Sequence, residues 1–133
     1  MIEKTIFYSW QSDLKHEYNW KFIEKCIQDS IKEINEKDKY IKFTLDQATR
    51  ALPGSPDIVD SIFNKIAKSS IFIADITPIT KLREKGIPNP NVLIELGYAV
   101  NTLGWDNVIC IHNKAFGKIE QLPFDIKQRR IIT

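Results

Sequence analysis

The sequence predicts an α/β domain with a parallel sheet and helices on both faces. Segments rich in β-branched and aromatic residues alternate with segments whose apolar residues recur every three or four positions. One of the former, Ile71-Phe72-Ile73-Ala74, is apolar without interruption, as a strand buried on both faces requires. Strand following helix throughout the chain implies crossover connections, which join parallel neighbours.

Thr5 to Tyr8 reads as a short strand, followed by the polar loop Ser9-Trp10-Gln11-Ser12-Asp13. From about Glu17 to Asn35, Trp20, Ile23, Ile27, Ile31 and Ile34 mark an amphipathic helix. Tyr40 to Leu45 is a second strand, and Asp46 to Gly54 a turn-rich loop. Ser55, Pro56 and Asp57 supply an N-cap hydroxyl, a proline suited to the first helical position and an acid suited to the helix dipole. The helix they open buries Ile58, Val59, Ile62, Phe63 and Ile66. The third strand, Ile71 to Ala74, stops at Asp75, and Thr77 to Asn89 is a long polar connection containing Gly86 and Pro88. Pro90 or Asn91 starts a helix that ends near Gly104. Val108 to His112 is a fourth strand, Asn113 to Gln128 is irregular, and Arg129 to Thr133 adds a final strand.

The 133 residues suffice for one domain with a real core, and no repeat or linker divides them. The expectation is a single domain over 1–133, either excised from a longer protein or ending naturally. With 19 basic and 17 acidic residues, the net charge of +2 is too balanced to argue for nucleic acid or an anionic membrane. The cluster from Lys127 to Arg130 reads as a solvated surface. Cys26 and Cys110 lie in apolar patterns and read as free buried thiols, without metal-like Cys/His spacing. No signal peptide or membrane-length apolar run is recognised, so a cytoplasmic location is expected.

The run Val92-Leu93-Ile94-Glu95-Leu96-Gly97-Tyr98-Ala99-Val100 holds one carboxylate among almost wholly apolar residues. Glutamate is rarely buried without a partner, because its charge is expensive to take out of water. A carboxylate placed there is a candidate for chemistry. In an open parallel sheet, ligands sit beyond the carboxyl ends of the strands. Ser9 and Trp10 follow strand one, Asp46 and Arg50 strand two, Asp75 and Thr77 strand three, and His112 and Asn113 strand four. The Glu95 helix begins on that same rim.

These stretches together resemble a TIR domain, the Toll/interleukin-1-receptor-like fold. Thr5-Ile6-Phe7-Tyr8-Ser9-Trp10 resembles its first box. Asp46 through Pro53-Gly54, then Asp57-Ile58-Val59 to Ser69-Ser70-Ile71-Phe72-Ile73, resembles its second. The likeness runs from Lys4 to Arg130. More narrowly, the chain resembles a bacterial TIR-like group marked by Tyr8-Ser9-Trp10-Gln11-Ser12-Asp13, Asn89-Pro90-Asn91-Val92-Leu93-Ile94-Glu95-Leu96-Gly97-Tyr98-Ala99 and Leu122-Pro123-Phe124-Asp125. Asn91 departs from the pattern, since enzymatic members carry a tryptophan four residues before their glutamate.

The resemblance implies a flavodoxin-like three-layer fold with a parallel sheet of four to five strands. It also implies NAD+ glycohydrolase activity, with NAD+ as substrate and no separate cofactor or metal. Many such bacterial members are antiviral effectors fused to, or recruited by, a sensor domain. Glu95 is then the catalytic residue. Ser9 either bonds ribose or phosphate or caps a turn. Trp10 either stacks on nicotinamide or adenine or fills the core. Asp46 and Arg50 either contact the nucleotide, with Arg50 on the pyrophosphate, or form a local ion pair. Asp75 either binds a ribose hydroxyl or caps the next turn. Asn91 is a ligand contact or a helix N-terminal residue, Tyr98 positions Glu95 or packs, and His112 is a strand-end residue. The loop from Asp46 to Ser55 is implied to mediate self-association through Leu52 and Pro53, or else is tucked in. Two other functions compete. Nucleoside deoxyribosyltransferases also carry a Glu-Leu-Gly-Tyr-Ala helix, and many TIR domains are noncatalytic scaffolds.

Overall fold

The computed structural model describes residues 1–47, 56–127 and 129–133. Its strands are β1 (Ile2–Ser9), β2 (Ile41–Gln47), β3 (Ile71–Asp75), β4 (Pro78–Leu82), β5 (Lys85–Pro88), β6 (Val108–Ile111) and β7 (Ile131–Ile132). Its α-helices are α1 (Trp20–Lys37), α2 (Pro56–Lys68), α3 (Pro90–Leu103) and α4 (Phe124–Lys127). Five strands form one parallel sheet in the order β2-β1-β3-β6-β7. This is the flavodoxin-like order, with its switch point between β1 and β3.

Alternation along the central strands divides the core in two. Phe7 of β1 and Phe72 and Ala74 of β3 point to one face, where they meet Ile66 of α2 and Val92, Leu96 and Ala99 of α3. Ile6, Tyr8 and Ile73 point to the other, where Ile23, Ile27 and Ile31 of α1 cover them. Beside α1 that second face continues as an open apolar groove lined by Ile71, Ile73, Ile109, Ile111 and Ile132. No described helix is long and apolar enough to cross a membrane.

The segment expected as a polar connection, Thr77 to Asn89, is instead an antiparallel hairpin of β4 and β5. Its outer residues, 81 to 85, are exposed, so no apolar alternation announced it. Gly86 is required there by space, since a Cβ would lie 2.8 Å from Pro78 Cγ and 3.2 Å from the Gln121 carbonyl oxygen. The first helix begins at Trp20, after a 3-10 turn at His16–Tyr18, rather than near Glu17. Asp46 lies within β2, not in the loop after it. Asn113 to Gln128 contains two 3-10 turns and α4. The expectation of two buried thiols is corrected at Cys26, which is exposed. The buried stripe of α1 runs through Ile23, Ile27 and Ile31, and Cys26 lies to one side of it.

Phe72 is fully buried and its ring stacks on Phe7 at 5.8 Å between centroids. Phe72→Ala is expected to lower the unfolding free energy by about 3–5 kcal/mol, read by urea denaturation. Burial pushes the Cys110 thiol up to about 11. A thiol reagent at pH 8 should therefore modify Cys26 promptly in the native protein, and Cys110 only after denaturant is added.

Candidate active site

Asn89 caps α3, its side-chain oxygen accepting the N–H groups of Asn91 at 2.8 Å and Val92 at 3.2 Å. Pro90 occupies the first helical position, where its missing N–H costs nothing. The buried stripe that follows is Val92, Glu95, Leu96 and Ala99, the i, i+3, i+4, i+7 pattern of a core-facing face. The helix thus buries a carboxylate and exposes a neighbouring isoleucine. Glu95 is 5% exposed, Ile94 60%.

The Glu95 carboxylate is met from the sheet. Ser9, buried at the carboxyl end of β1, donates its hydroxyl to Glu95 Oε1 at 2.7 Å. This joins residues 86 positions apart, on two elements that flank the switch point. Of the rim residues selected from the sequence, Ser9 and Glu95 meet directly, as do Asp75 with Thr77 and Thr77 with Asn113.

Asp75 ends β3 one residue beyond Ala74, which is in register with Ser9. Its side chain is fully buried. Oδ1 accepts from the Thr77 backbone N–H at 3.1 Å and the Thr77 hydroxyl at 2.5 Å. Oδ2 accepts from Asn19 Nδ2 at 2.7 Å and Gln11 Nε2 at 3.3 Å. Burial raises the Asp75 pKa above the ordinary carboxylate value, and the four hydrogen bonds oppose that rise.

Trp10 is half-buried, with its ring 5.0 Å from that of Trp20. Asp46 accepts from the N–H of Gln47 at 2.8 Å and lies 3.5 Å from Lys65 Nζ of α2. Arg50, Leu52 and Pro53 lie outside the described residues, and with them the expectations placed on the 46–55 loop beyond Gln47. Asn91 is exposed in the first turn of α3, and its N–H is taken by Asn89. Tyr98 packs toward α2, its ring 4.7 Å from Phe63. His112 is buried just beyond β6, and its Nε2 lies 2.9 Å from the Gly117 carbonyl oxygen. Among the described residues, no group of three or more His, Cys, Asp and Glu side chains is arranged to hold a metal.

Sequence reasoning did not single out Gln11 and Asn19 as site residues, yet both are buried on this rim and bonded to Asp75. Gln11 sits inside the Tyr8-Ser9-Trp10-Gln11-Ser12-Asp13 motif, and its place after β1 is a usable signal. Asn19 carried none, because it lies beside an amphipathic pattern as one more polar residue.

Comparison with known proteins adds three findings. A family model described as CAP12/Pycsar effector protein, TIR domain, matches residues 23–127. The chain is similar in fold to a solved 2-desoxiribosyltransferase from Leishmania mexicana, with a TM-score of 0.54 and 18% identity. That likeness covers 82% of this chain, and the chain spans about 64% of the length of that structure. No curated protein matches.

Asn89→Ala removes an oxygen that holds two N–H groups at the start of α3. The expected loss is about 1 kcal/mol of unfolding free energy, measured by chemical denaturation, with Asn89→Ser retaining most of it.

Proposed function

The chain belongs to the TIR domain family of CAP12/Pycsar effector proteins, and we propose on that premise that it is an NAD+ glycohydrolase. The observation that carries the reading is Glu95, a carboxylate buried in the stripe of α3 and held by Ser9 at 2.7 Å. Its chemistry suits the reaction. Nicotinamide in NAD+ is a pyridinium and leaves as a neutral base, so the departing group needs no general acid. Most glycosidases need a second carboxylate for that task. What remains is positive charge growing on the ribose as the C–N bond lengthens. A fixed carboxylate in a water-poor site opposes that charge strongly, because Coulomb attraction rises as the local dielectric falls. A preorganised group of this kind is typically worth about 3–4 kcal/mol of barrier.

In this reading, Ser9 fixes one Glu95 oxygen and so orients the carboxylate before substrate arrives. Water attacking the ribose carbon gives nicotinamide and ADP-ribose, and attack from within the substrate gives a cyclic ADP-ribose. Trp10, half-buried beside the end of β1, offers an aromatic face for nicotinamide or adenine. Asp46, Arg50 and Asn91 are the further contacts proposed for the nucleotide, and Tyr98 packs against Phe63 of α2. Self-association through the 46–55 loop is the proposed trigger, with the signal supplied by a fused or recruited sensor domain. The matched family's description as an effector supports a role in bacterial antiviral defence.

The Glu-Leu-Gly-Tyr-Ala helix also favours a second reading, deoxyribosyl transfer with Glu95 as nucleophile. One experiment separates these from a noncatalytic scaffold. The purified protein is concentrated on a lipid or bead surface, offered NAD+ and, separately, 2′-deoxynucleosides, and followed by chromatography of free base. Nicotinamide release from NAD+ alone is expected, falling about 100- to 1000-fold in Glu95→Gln. Base exchange on deoxynucleosides instead supports the transferase. No turnover of either substrate by the assembled protein leaves the scaffold.

A further inference from the structure

We propose that Asp75 is a positioning residue of this site, which through Gln11, Asp13 and Asn89 locks the loop after β1 onto the start of the Glu95 helix. The inference rests on the NAD+-cleaving reading for its kinetic consequence, but its structural content stands apart from that reading.

A carboxylate offers about four acceptor positions. Asp75 has four donors on them, two to each oxygen, and no surface exposed to solvent. A ribose hydroxyl would have to displace one of these bonds. All four donors are neutral, so the charge is held by hydrogen bonds in place of an ion pair. Three of those bonds come from amide and hydroxyl side chains that are themselves committed elsewhere.

Those commitments form a belt across the rim. Gln11 donates to Asp75, and its Oε1 accepts the N–H groups of Asp13 at 2.8 Å and Leu14 at 3.2 Å. The Gln11 amide can satisfy both ends in one orientation only. Asp13 in turn accepts from Asn89 Nδ2 at 2.5 Å, and Asn89 is the residue that caps α3. On the other side, Asn19 accepts from Asn113 Nδ2 at 3.2 Å, and the Asn113 N–H donates to the Thr77 hydroxyl at 2.9 Å. Asp75, Thr77, Asn113 and Asn19 therefore close a ring that ties the ends of β3 and β6 to the start of α1. Ser9 ends β1, and Gln11 lies two residues on, in the loop that follows. The end of β1 thus touches Glu95 through Ser9, and the loop after it touches the cap of the same helix through Asp13. Asp75 anchors that loop through Gln11, and its loss frees the contact of Asp13 with the cap of α3.

The test uses 15N-labelled protein, amide exchange and steady-state kinetics together. In Asp75→Asn, one oxygen becomes a donor facing Gln11 and Asn19 or Thr77. Exchange at the Asp13 and Leu14 amides is expected to quicken about 10-fold, with a similar change at Asn91 and Val92. The kcat for NAD+ is expected to fall about 10- to 100-fold, with KM held within about threefold. A raised KM with unchanged kcat, or unchanged exchange at these amides, overturns the proposal. If the wild-type protein itself releases no nicotinamide, the NAD+ reading falls, and the exchange pattern alone decides the positioning role. Should Asp75→Asn fail to fold, the exposed Asp13 provides the second arm. Asp13→Ala is expected to lower kcat about 10-fold with its thermal midpoint unchanged, and Asp13→Asn, which keeps an acceptor for Asn89, to restore it. Equal kcat in wild type and Asp13→Ala overturns the proposal.

Discussion

Placing Glu95 in the buried stripe of α3 obliges the surrounding structure to keep a carboxylate largely out of water, and much of the rim follows from that. The cost of such burial falls only when the charge finds donors or partners in the interior. The Ser9 hydroxyl supplies a donor at 2.7 Å. For it to do so, the end of β1 and the first two turns of α3 must be held in register by the sheet. The order β2-β1-β3-β6-β7 secures this by setting β1 and β3 side by side at the switch point.

The rim carries a second buried carboxylate, and the two are held differently. Glu95 projects from a helix and meets the sheet at Ser9, whose hydroxyl donates to it at 2.7 Å. Asp75 ends a strand and is enclosed by four neutral donors from three segments. A carboxylate with two donors on each oxygen suits organising a structure. Their chemistry is alike, and environment separates their roles.

Tying a loop, a strand end and a helix cap into one hydrogen-bonded belt has consequences for stability as well as geometry. Each bond is worth modest net energy, but an unsatisfied buried member costs more than the bond itself contributes. Damage to one amide therefore propagates along the belt. The polar network on the rim contrasts with the two apolar cores below it, where the paired rings of Phe7 and Phe72 and the isoleucines of α1 hold the layers by burial alone.

Local pattern determined a great deal here. The uninterrupted apolar run of β3, the threefold and fourfold spacing in α1, and the alternation of strand with helix fix an α/β domain, because burial demands those periods. The oddity of Glu95 was equally legible, since one glutamate in an almost wholly apolar run contradicts its own solvation. Pattern failed where residues face water. The hairpin of β4 and β5 has an exposed charged tip, and the register of α1 put Cys26 outside its buried stripe. Only the tertiary structure decided that Ser9 is the donor to Glu95, that Tyr98 turns to Phe63, and that Gln11, Asn19 and Asn89 belong to one belt. Those contacts join residues far apart in sequence, and their geometry exists only once the sheet has brought the strand ends together.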